Sequence, residues 1–209
     1  MDKDHDRPTL GESKGNQAAR IGASALGAIP VLGPIIQATV TETIPNVRLE
    51  RIEAYLQHLE RRLDEATLGE QLKDERQLDL FEEGMWQSAR AVSDERKERV
   101  ANLVVNGLSA PELDAARSRH WLRVLNQLGD EEIAILLDEF QWQTSYPEAT
   151  DEEQGQRVKE TPNEALPSRF LLSAFGLMKQ HATWGGGNVV QGVTPAGEDF
   201  LRAMGLLGD

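Results

Sequence analysis

One uncharged segment of twenty residues, 21–40, constrains this chain more than any other feature of its sequence. The 209 residues around and including it carry a formal net charge of −13. An unbroken apolar run of this length is typical of a membrane helix. Pro30 and Pro34 interrupt it, however, with Gly33 between them. Because each proline removes a backbone donor and clashes with the preceding turn, a single straight helix is disfavoured.

We therefore predict a proline-broken apolar helical hairpin over residues 16–45. The turn is the stretch IPVLGP, and the second arm ends at Ile44-Pro45. Each arm is too short to cross a bilayer alone, although a re-entrant hairpin reaches its middle. Small residues spaced four apart let the arms approach closely, as helices do in lipid. The residues that we assign to this membrane-competent hairpin are Gly22, Ala23, Gly27, Pro30, Leu32, Gly33 and Pro34.

Two other interpretations of the segment compete with membrane insertion. A cleaved signal peptide is disfavoured, because residues 1–20 are polar and carry no net charge. We predict that residues 1–15 form a disordered polar tail. A buried core or oligomer hairpin remains open, since the same small pairs let two helices nest in a water-soluble core. Membrane insertion, conditional on a trigger, is the interpretation that we favour.

A long amphipathic helix follows the apolar segment. Asn46 is a suitable N-cap, and apolar residues then recur at alternating spacings of three and four, which is a short coiled-coil-like seam. This helix either packs inside its own chain or serves self-association into a homo-oligomer. The seam residues assigned to self-association are Leu49, Ile52, Leu56, Leu59 and Leu63.

Residues 46–142 as a whole are predicted to form a helical bundle. Ser93 is a good N-cap, Pro111 suits a first helical position, and Gly129-Asp130 separates two helices. The short connections favour antiparallel neighbours. The residues predicted to face the core are Leu78, Phe81, Met85, Trp86, Ala89, Val100, Leu103, Val104, Leu108, Leu113, Trp121, Val124, Leu125 and Leu128.

The last third of the chain divides into an acidic linker and a terminal segment. Residues 143–165 lack periodic apolar positions, and we predict a mobile loop or linker there. In residues 166–209 we predict a helix, a β-hairpin around GGGN and a last helix capped by Thr194. Helix, hairpin and helix in this order resemble the end of a winged-helix domain, and GVTPAGEDFL resembles the strand-to-helix stretch common in such domains. The fold class predicted for the whole chain is mainly α.

Chemistry-bearing motifs are missing from this sequence. The four histidines are scattered without ligand-like partners, there is no cysteine, and neighbouring carboxylates point to different helix sides. We therefore expect no enzyme activity, no metal site and no cofactor. The glycines of GGGN lack the lysine and the following helix of a phosphate loop. Nucleic-acid binding is disfavoured because no segment is strongly basic, and the predicted recognition helix offers only Arg169 and Lys179 in a region of net negative charge.

A family resemblance rests on four stretches of the chain: ALGAIPVLGPII, IPNVRLERIEAYLQHLERRL, FEEGMWQSARAVSDERKERVANLVVNGLS and WLRVLNQLGDEEIAILLDEF. In this pattern the chain resembles bacterial abortive-infection proteins of the alpha (Abi-alpha) type. The resemblance implies an all-helical body, a terminal winged-helix-like segment and a role in defence against phage through an effect on the host cell. It carries over no functional residues.

Two functional hypotheses follow from these observations. In the first, a non-enzymatic effector keeps residues 21–44 shielded by its bundle until a trigger releases them into the inner membrane. In the second, a soluble module forms homo-oligomers through residues 16–65 and contacts a protein partner with its winged-helix-like C-terminus. Both predict a cytoplasmic protein, and the first adds peripheral association with the inner membrane or insertion into it.

Overall fold

The computed structural model describes residues 46–63, 65–109, 112–182 and 188–208. Within these residues the chain is mainly helical, with nine α-helices and one two-stranded antiparallel sheet, which confirms the predicted class. The predicted hairpin at residues 16–45 lies outside the described residues. The elements are α1 Asn46–Arg62, α2 Glu65–Gln71, α3 Glu75–Arg90, α4 Asp94–Ser109, α5 Glu112–Gln127, α6 Asp130–Ser145, α7 Asp151–Glu160, α8 Leu166–Ala174, β1 Met178–Ala182, β2 Asn188–Val193 and α9 Pro195–Ala203.

Helix α1 forms where the seam predicts it and packs against α3 and α4 of the same chain. The alternating spacing of three and four places its apolar residues on one face, which that contact buries. The structure therefore corrects the assignment of this seam to self-association, since its residues already lie in the intramolecular core. These core residues are Leu49, Ile52, Leu56, Leu59 and Leu63. The helix ends at Arg62, so α2 is a separate element and does not extend the seam.

Polar caps fix where the helices of the bundle begin. Asp74 accepts hydrogen bonds from two backbone N–H groups at the start of α3, and Ser93 accepts one from Arg96 at the start of α4. Each cap satisfies donors that have no partner within the helix. Gly129 precedes α6, and its own N–H donates to Glu132 Oε2 at 2.7 Å. Arg96 lies across the end of α5, where its guanidinium donates to the carbonyl oxygen of Leu128 at 2.8 Å.

The prediction of a loop over residues 143–165 is wrong in its middle. Helix α6 continues to Ser145, and α7 occupies ten residues of the predicted linker. Thr150 caps α7 by accepting from the N–H of Glu153, whose side chain in turn accepts from the Thr150 N–H at 2.8 Å. This reciprocal pair is a capping box, which starts a helix without any apolar periodicity.

The C-terminal unit, α8–β1–β2–α9, has the predicted order of helix, hairpin and helix. Thr194 caps α9 by accepting from the N–H of Gly197 at 3.0 Å, as predicted. In the sheet, Met178 pairs with Val193 and Gln180 with Val190, so Gln191 and Gly192 together oppose Lys179 alone. This bulge places Gly192 at φ +79°, a conformation that suits glycine. Helix α8 ends at Ala174.

A hydrogen bond and an aromatic contact join α9 and the residues just after it to the bundle. The Asn102 side chain on α4 donates to the carbonyl oxygen of Met204 at 3.0 Å, just after α9. The Trp121 ring on α5 lies 5.1 Å from the Phe200 ring on α9, measured between centroids. Both aromatic residues belong to the same buried cluster as the α1 seam. The described residues therefore share one hydrophobic core, which runs from α1 to α9.

Candidate functional site

The structure does not bring the sequence-predicted site residues together. Those assigned to the apolar hairpin lie outside the described residues: Gly22, Ala23, Gly27, Pro30, Leu32, Gly33 and Pro34. Those assigned to the seam are buried within the bundle. Over residues 46–63, 65–109, 112–182 and 188–208, no helix combines the length and the apolar character that crossing a membrane requires.

The most distinctive surface of the described chain is one side of α8. This short helix buries Ser168, Arg169 and Leu172 against its neighbours. Its opposite side exposes Leu166 by 40%, Phe170 by 43% and Leu171 by 37%. We call these three residues the apolar face of α8. Exposed apolar residues are common singly, but a cluster of them on one helix indicates a contact surface.

A buried charge cluster underneath holds the apolar face of α8 in place. Glu139 on α6 is fully buried, and Arg169 Nη2 donates to its Oε2 at 2.8 Å. The N–H of Gly192 donates to Oε1 of the same carboxylate at 2.9 Å, and Arg169 Nη1 donates to the Val190 carbonyl oxygen at 3.2 Å. A buried carboxylate is retained only when it is paired and hydrogen-bonded in this way. The cluster therefore fixes α8 and β2 against α6.

Helix α7 joins the same cluster through Arg157. Its Nη2 lies 2.7 Å from Asp138 Oδ2, and its Nε lies 3.5 Å from Glu139 Oε2. The guanidinium also stacks over the Trp142 ring, 5.0 Å from the centroid. Asp138 is exposed and Glu139 is buried, yet both carboxylates contact this one guanidinium. Arg169, one of the two cations that the sequence analysis counts for the winged-helix-like segment, is buried here and is not a surface residue.

A groove of about 530 Å³ separates α1 from the start of α4. His58 Nε2 lies 3.1 Å from Asn102 Oδ1, and Arg62 Nη2 donates to the same oxygen at 2.8 Å. Burial raises the pKa of Tyr55 well above its ordinary value, and its hydroxyl donates to the Phe81 carbonyl oxygen at 3.1 Å. Tyr55 is therefore a fixed donor and not a base. The groove is lined by Ala54, Tyr55, His58, Arg61, Arg62, Asp94, Lys97 and Glu98.

The charges in this groove have both signs. Lys97 pairs with Asp94, one turn before it on α4, and the Lys97 side chain lowers the pKa of that carboxyl by hydrogen bonding and by its charge. A second cavity, of about 480 Å³, lies between α6, α7 and the start of α8 and contains both cations of the buried cluster. Among the residues that the structure describes, no cluster of three or more metal-ligating side chains occurs.

Sequence reasoning missed the apolar face of α8 and the Glu139–Arg169 pair. The stretch LPSRFLLSAF indicates the apolar face of α8, because it contains more apolar residues than one side of a short helix can hold. No local sequence pattern indicates the Glu139–Arg169 pair, since the two residues are thirty positions apart and each resembles an ordinary surface charge.

Comparison of the chain with models of protein families, with curated proteins and with solved structures found no match. The resemblance to Abi-alpha proteins therefore remains a prediction from the sequence pattern.

Proposed function

We propose that this protein is a non-enzymatic effector of phage defence, of the abortive-infection type, which acts at the inner membrane through residues 21–44. The observation that carries the proposal is the packing of α1, which directly follows that segment. Its apolar seam is already covered by α3 and α4. The uncharged segment is therefore not required to cover the helix next to it, and another apolar environment accounts better for its twenty uncharged residues.

The chemistry of the described residues supports a non-enzymatic role. The buried carboxylate of Glu139 pairs with Arg169 and accepts a backbone hydrogen bond, so both of its oxygens take part in contacts that hold the fold together. Tyr55 is held as a donor in the groove, where Lys97 and Asp94 pair with each other. These contacts give Glu139, Tyr55, Lys97 and Asp94 structural roles.

A soluble interaction module is the second candidate function. The apolar face of α8 supports it, because this face lies on the winged-helix-like unit that we expect to contact a protein partner. In this candidate the protein stays in the cytoplasm and the partner covers Phe170 and its neighbours.

Vesicle leakage and cell fractionation test the membrane proposal. We expect the full chain to associate with anionic vesicles and release an entrapped dye, and Gly27→Asp or Leu32→Asp to abolish both. A charge in the bilayer centre costs about 2.5–3.5 kcal/mol on insertion scales, which is enough to reverse a marginal insertion. Thermal melting must show that each variant keeps the wild-type fold.

The matched control is Gly155→Asp, which makes the same change in α7. A side chain at Gly155 has open space around it, so this variant should fold normally and retain leakage. If Gly155→Asp and Gly27→Asp lose leakage equally, the loss results from the added negative charge and not from its position in residues 21–44. A wild-type chain that stays cytosolic in cells and leaves vesicles intact contradicts the membrane proposal and favours the second candidate.

A further inference from the structure

The exposed apolar side chains of the described residues concentrate at one end of the bundle. Val47, at the start of α1, is 56% exposed, and Val92, between α3 and α4, is 84% exposed. The apolar face of α8 adds three more. Of the six large apolar side chains that are exposed in the described parts of the chain, only Tyr146 lies elsewhere, after the far end of α6.

Three hydrogen bonds trace this end of the bundle from α1 to α8. Arg51 Nη1 donates to the Ala89 carbonyl oxygen at 3.3 Å, which places the start of α1 beside the end of α3. The Ser93 hydroxyl donates to Asp130 Oδ2 at 3.1 Å, which joins the starts of α4 and α6.

The third bond reaches α8. The Ser168 hydroxyl donates to Glu132 Oε1 at 2.7 Å, so α8 begins beside the start of α6. The point where residues 1–45 join the bundle and the point where α8 begins therefore belong to the same end of the molecule.

We propose that the apolar face of α8 is the docking surface for the uncharged segment of this same chain, residues 21–40. This inference rests on the proposed function and names the surface that shields its membrane-active segment. Residues 41–45 separate the segment from α1, and an extended chain of five residues spans about 17 Å at roughly 3.3–3.6 Å per residue. The segment thus begins within reach of the bundle end that carries the exposed apolar residues.

The tether favours this occupant over a second copy or a separate partner. A short covalent tether holds a binding segment at an effective concentration of about 1 mM, so even a weak apolar contact is populated. A second copy at micromolar concentration has no such advantage. The segment carries no charge, so docking it on Phe170 and Leu171 buries apolar surface without desolvating an ion. A trigger that competes for either surface then releases the segment.

Photo-crosslinking of the full chain tests the docking directly. We place a photoreactive aromatic by Phe170→p-benzoylphenylalanine and map the crosslinked peptides by mass spectrometry. The expected products join position 170 to residues 21–40, with a yield that does not change when the protein is diluted. The matched control is Tyr146→p-benzoylphenylalanine, an exposed aromatic position at the far end of α6, which should give several-fold less of these products.

Mixing isotope-labelled and unlabelled chains identifies the occupant. Crosslinks within single chains support the proposal. Mixed-label crosslinks assign the face to a second copy and overturn it, and so does a yield at position 170 no higher than at position 146. If the Phe170 variant melts early, Leu166 provides a second crosslinking position on the same face.

A vesicle experiment separates this inference from the proposed function. Phe170→Ser combined with Leu171→Ser should leave the fold intact and increase binding to phosphatidylglycerol vesicles several-fold, because the segment is no longer covered. Intramolecular crosslinks without any vesicle binding would retain the docking and reject the membrane function. Vesicle binding by the wild type without these crosslinks would retain the membrane function and reject the docking.

Discussion

Single glycines reveal how closely the helices of the bundle approach one another. Gly84 lies on α3 where that helix faces α1 and α4. A Cβ at this position would meet Tyr55 Oη at 2.7 Å and would come closer still to Val104 Cγ2. We expect Gly84→Ala to lower the free energy of unfolding, measured by urea denaturation, by about 1–3 kcal/mol, the usual cost of overpacking a core.

The matched control for this substitution is Gly155→Ala. A Cβ at Gly155 on α7 meets nothing within 4 Å, so alanine adds helix propensity without a clash. This variant should stabilise α7 by about 0.5–1 kcal/mol, measured by amide exchange within the helix. A neutral Gly84→Ala would mean that α1, α3 and α4 do not meet as closely as the structure shows.

A second prediction at the residue scale concerns Glu132 and pH. Burial raises the pKa of this carboxyl. Hydrogen bonds from the Ser168 hydroxyl and the Gly129 N–H lower the pKa by more than burial raises it, so the pKa lies below its ordinary value. A depressed carboxyl pKa stabilises the fold above the pKa of the unfolded chain, and this contribution is lost as the pH falls through the folded value. Ser168→Ala should therefore raise the pKa of Glu132 in an NMR titration.

The same variant should change how stability depends on pH. Its deficit in unfolding free energy relative to the wild type should be larger at neutral pH than below the folded pKa of Glu132, where the carboxylate contribution is lost in both proteins. Urea denaturation at the two pH values measures this difference. A Glu132 pKa that is unchanged in Ser168→Ala would show that the bond between α6 and α8 does not control its ionisation.

At the scale of elements, the Glu139–Arg169 pair fastens α8 and β2 to α6. Glu139→Gln keeps an acceptor for the Gly192 N–H but leaves the Arg169 charge buried without its partner. Arg169→Met removes the nearer of the two guanidinium groups and leaves the buried Glu139 carboxylate with the Gly192 N–H and the more distant Arg157. Each single change should lower the free energy of unfolding by about 3–5 kcal/mol. The double variant should lower it by far less than the sum of the two, since no uncompensated charge remains. Urea denaturation of the four proteins gives the coupling energy, and additive losses would contradict a direct pairing.

The elements also differ in how far the sequence predicts them. Apolar periodicity and caps correctly predict α1, α4 and α9, because Ser93, Thr194 and the apolar spacings are local signals. Helix α7 was missed although Thr150 and Glu153 have the spacing of a capping box. The bulge at Gly192 and the pairing of Glu139 with Arg169 depend on elements far apart in sequence. No pattern within a single segment specifies them.

At the scale of the whole molecule, one side chain links the first described helix to the C-terminus. Asn102 Oδ1 accepts a hydrogen bond from the Arg62 side chain on α1, while Asn102 Nδ2 donates one to the Met204 carbonyl oxygen. The bundle and the C-terminal unit therefore share polar contacts as well as a hydrophobic core. A substitution in the seam of α1 should therefore lower the stability of the whole fold, and we do not expect it to act by weakening a contact between two copies of the chain.

The buried seam of α1 makes a prediction that separates folding from self-association. Leu56 is fully buried between α1 and its neighbours, so Leu56→Lys places a charge in the core. We expect a loss of more than about 4 kcal/mol in unfolding free energy, among the largest effects of single substitutions. Val47→Lys, an exposed position on the same helix, should stay within about 0.5 kcal/mol of the wild type. A seam that joined two copies would behave differently: Leu56→Lys would lower the mass seen by light scattering and leave a monomer with an unchanged denaturation midpoint.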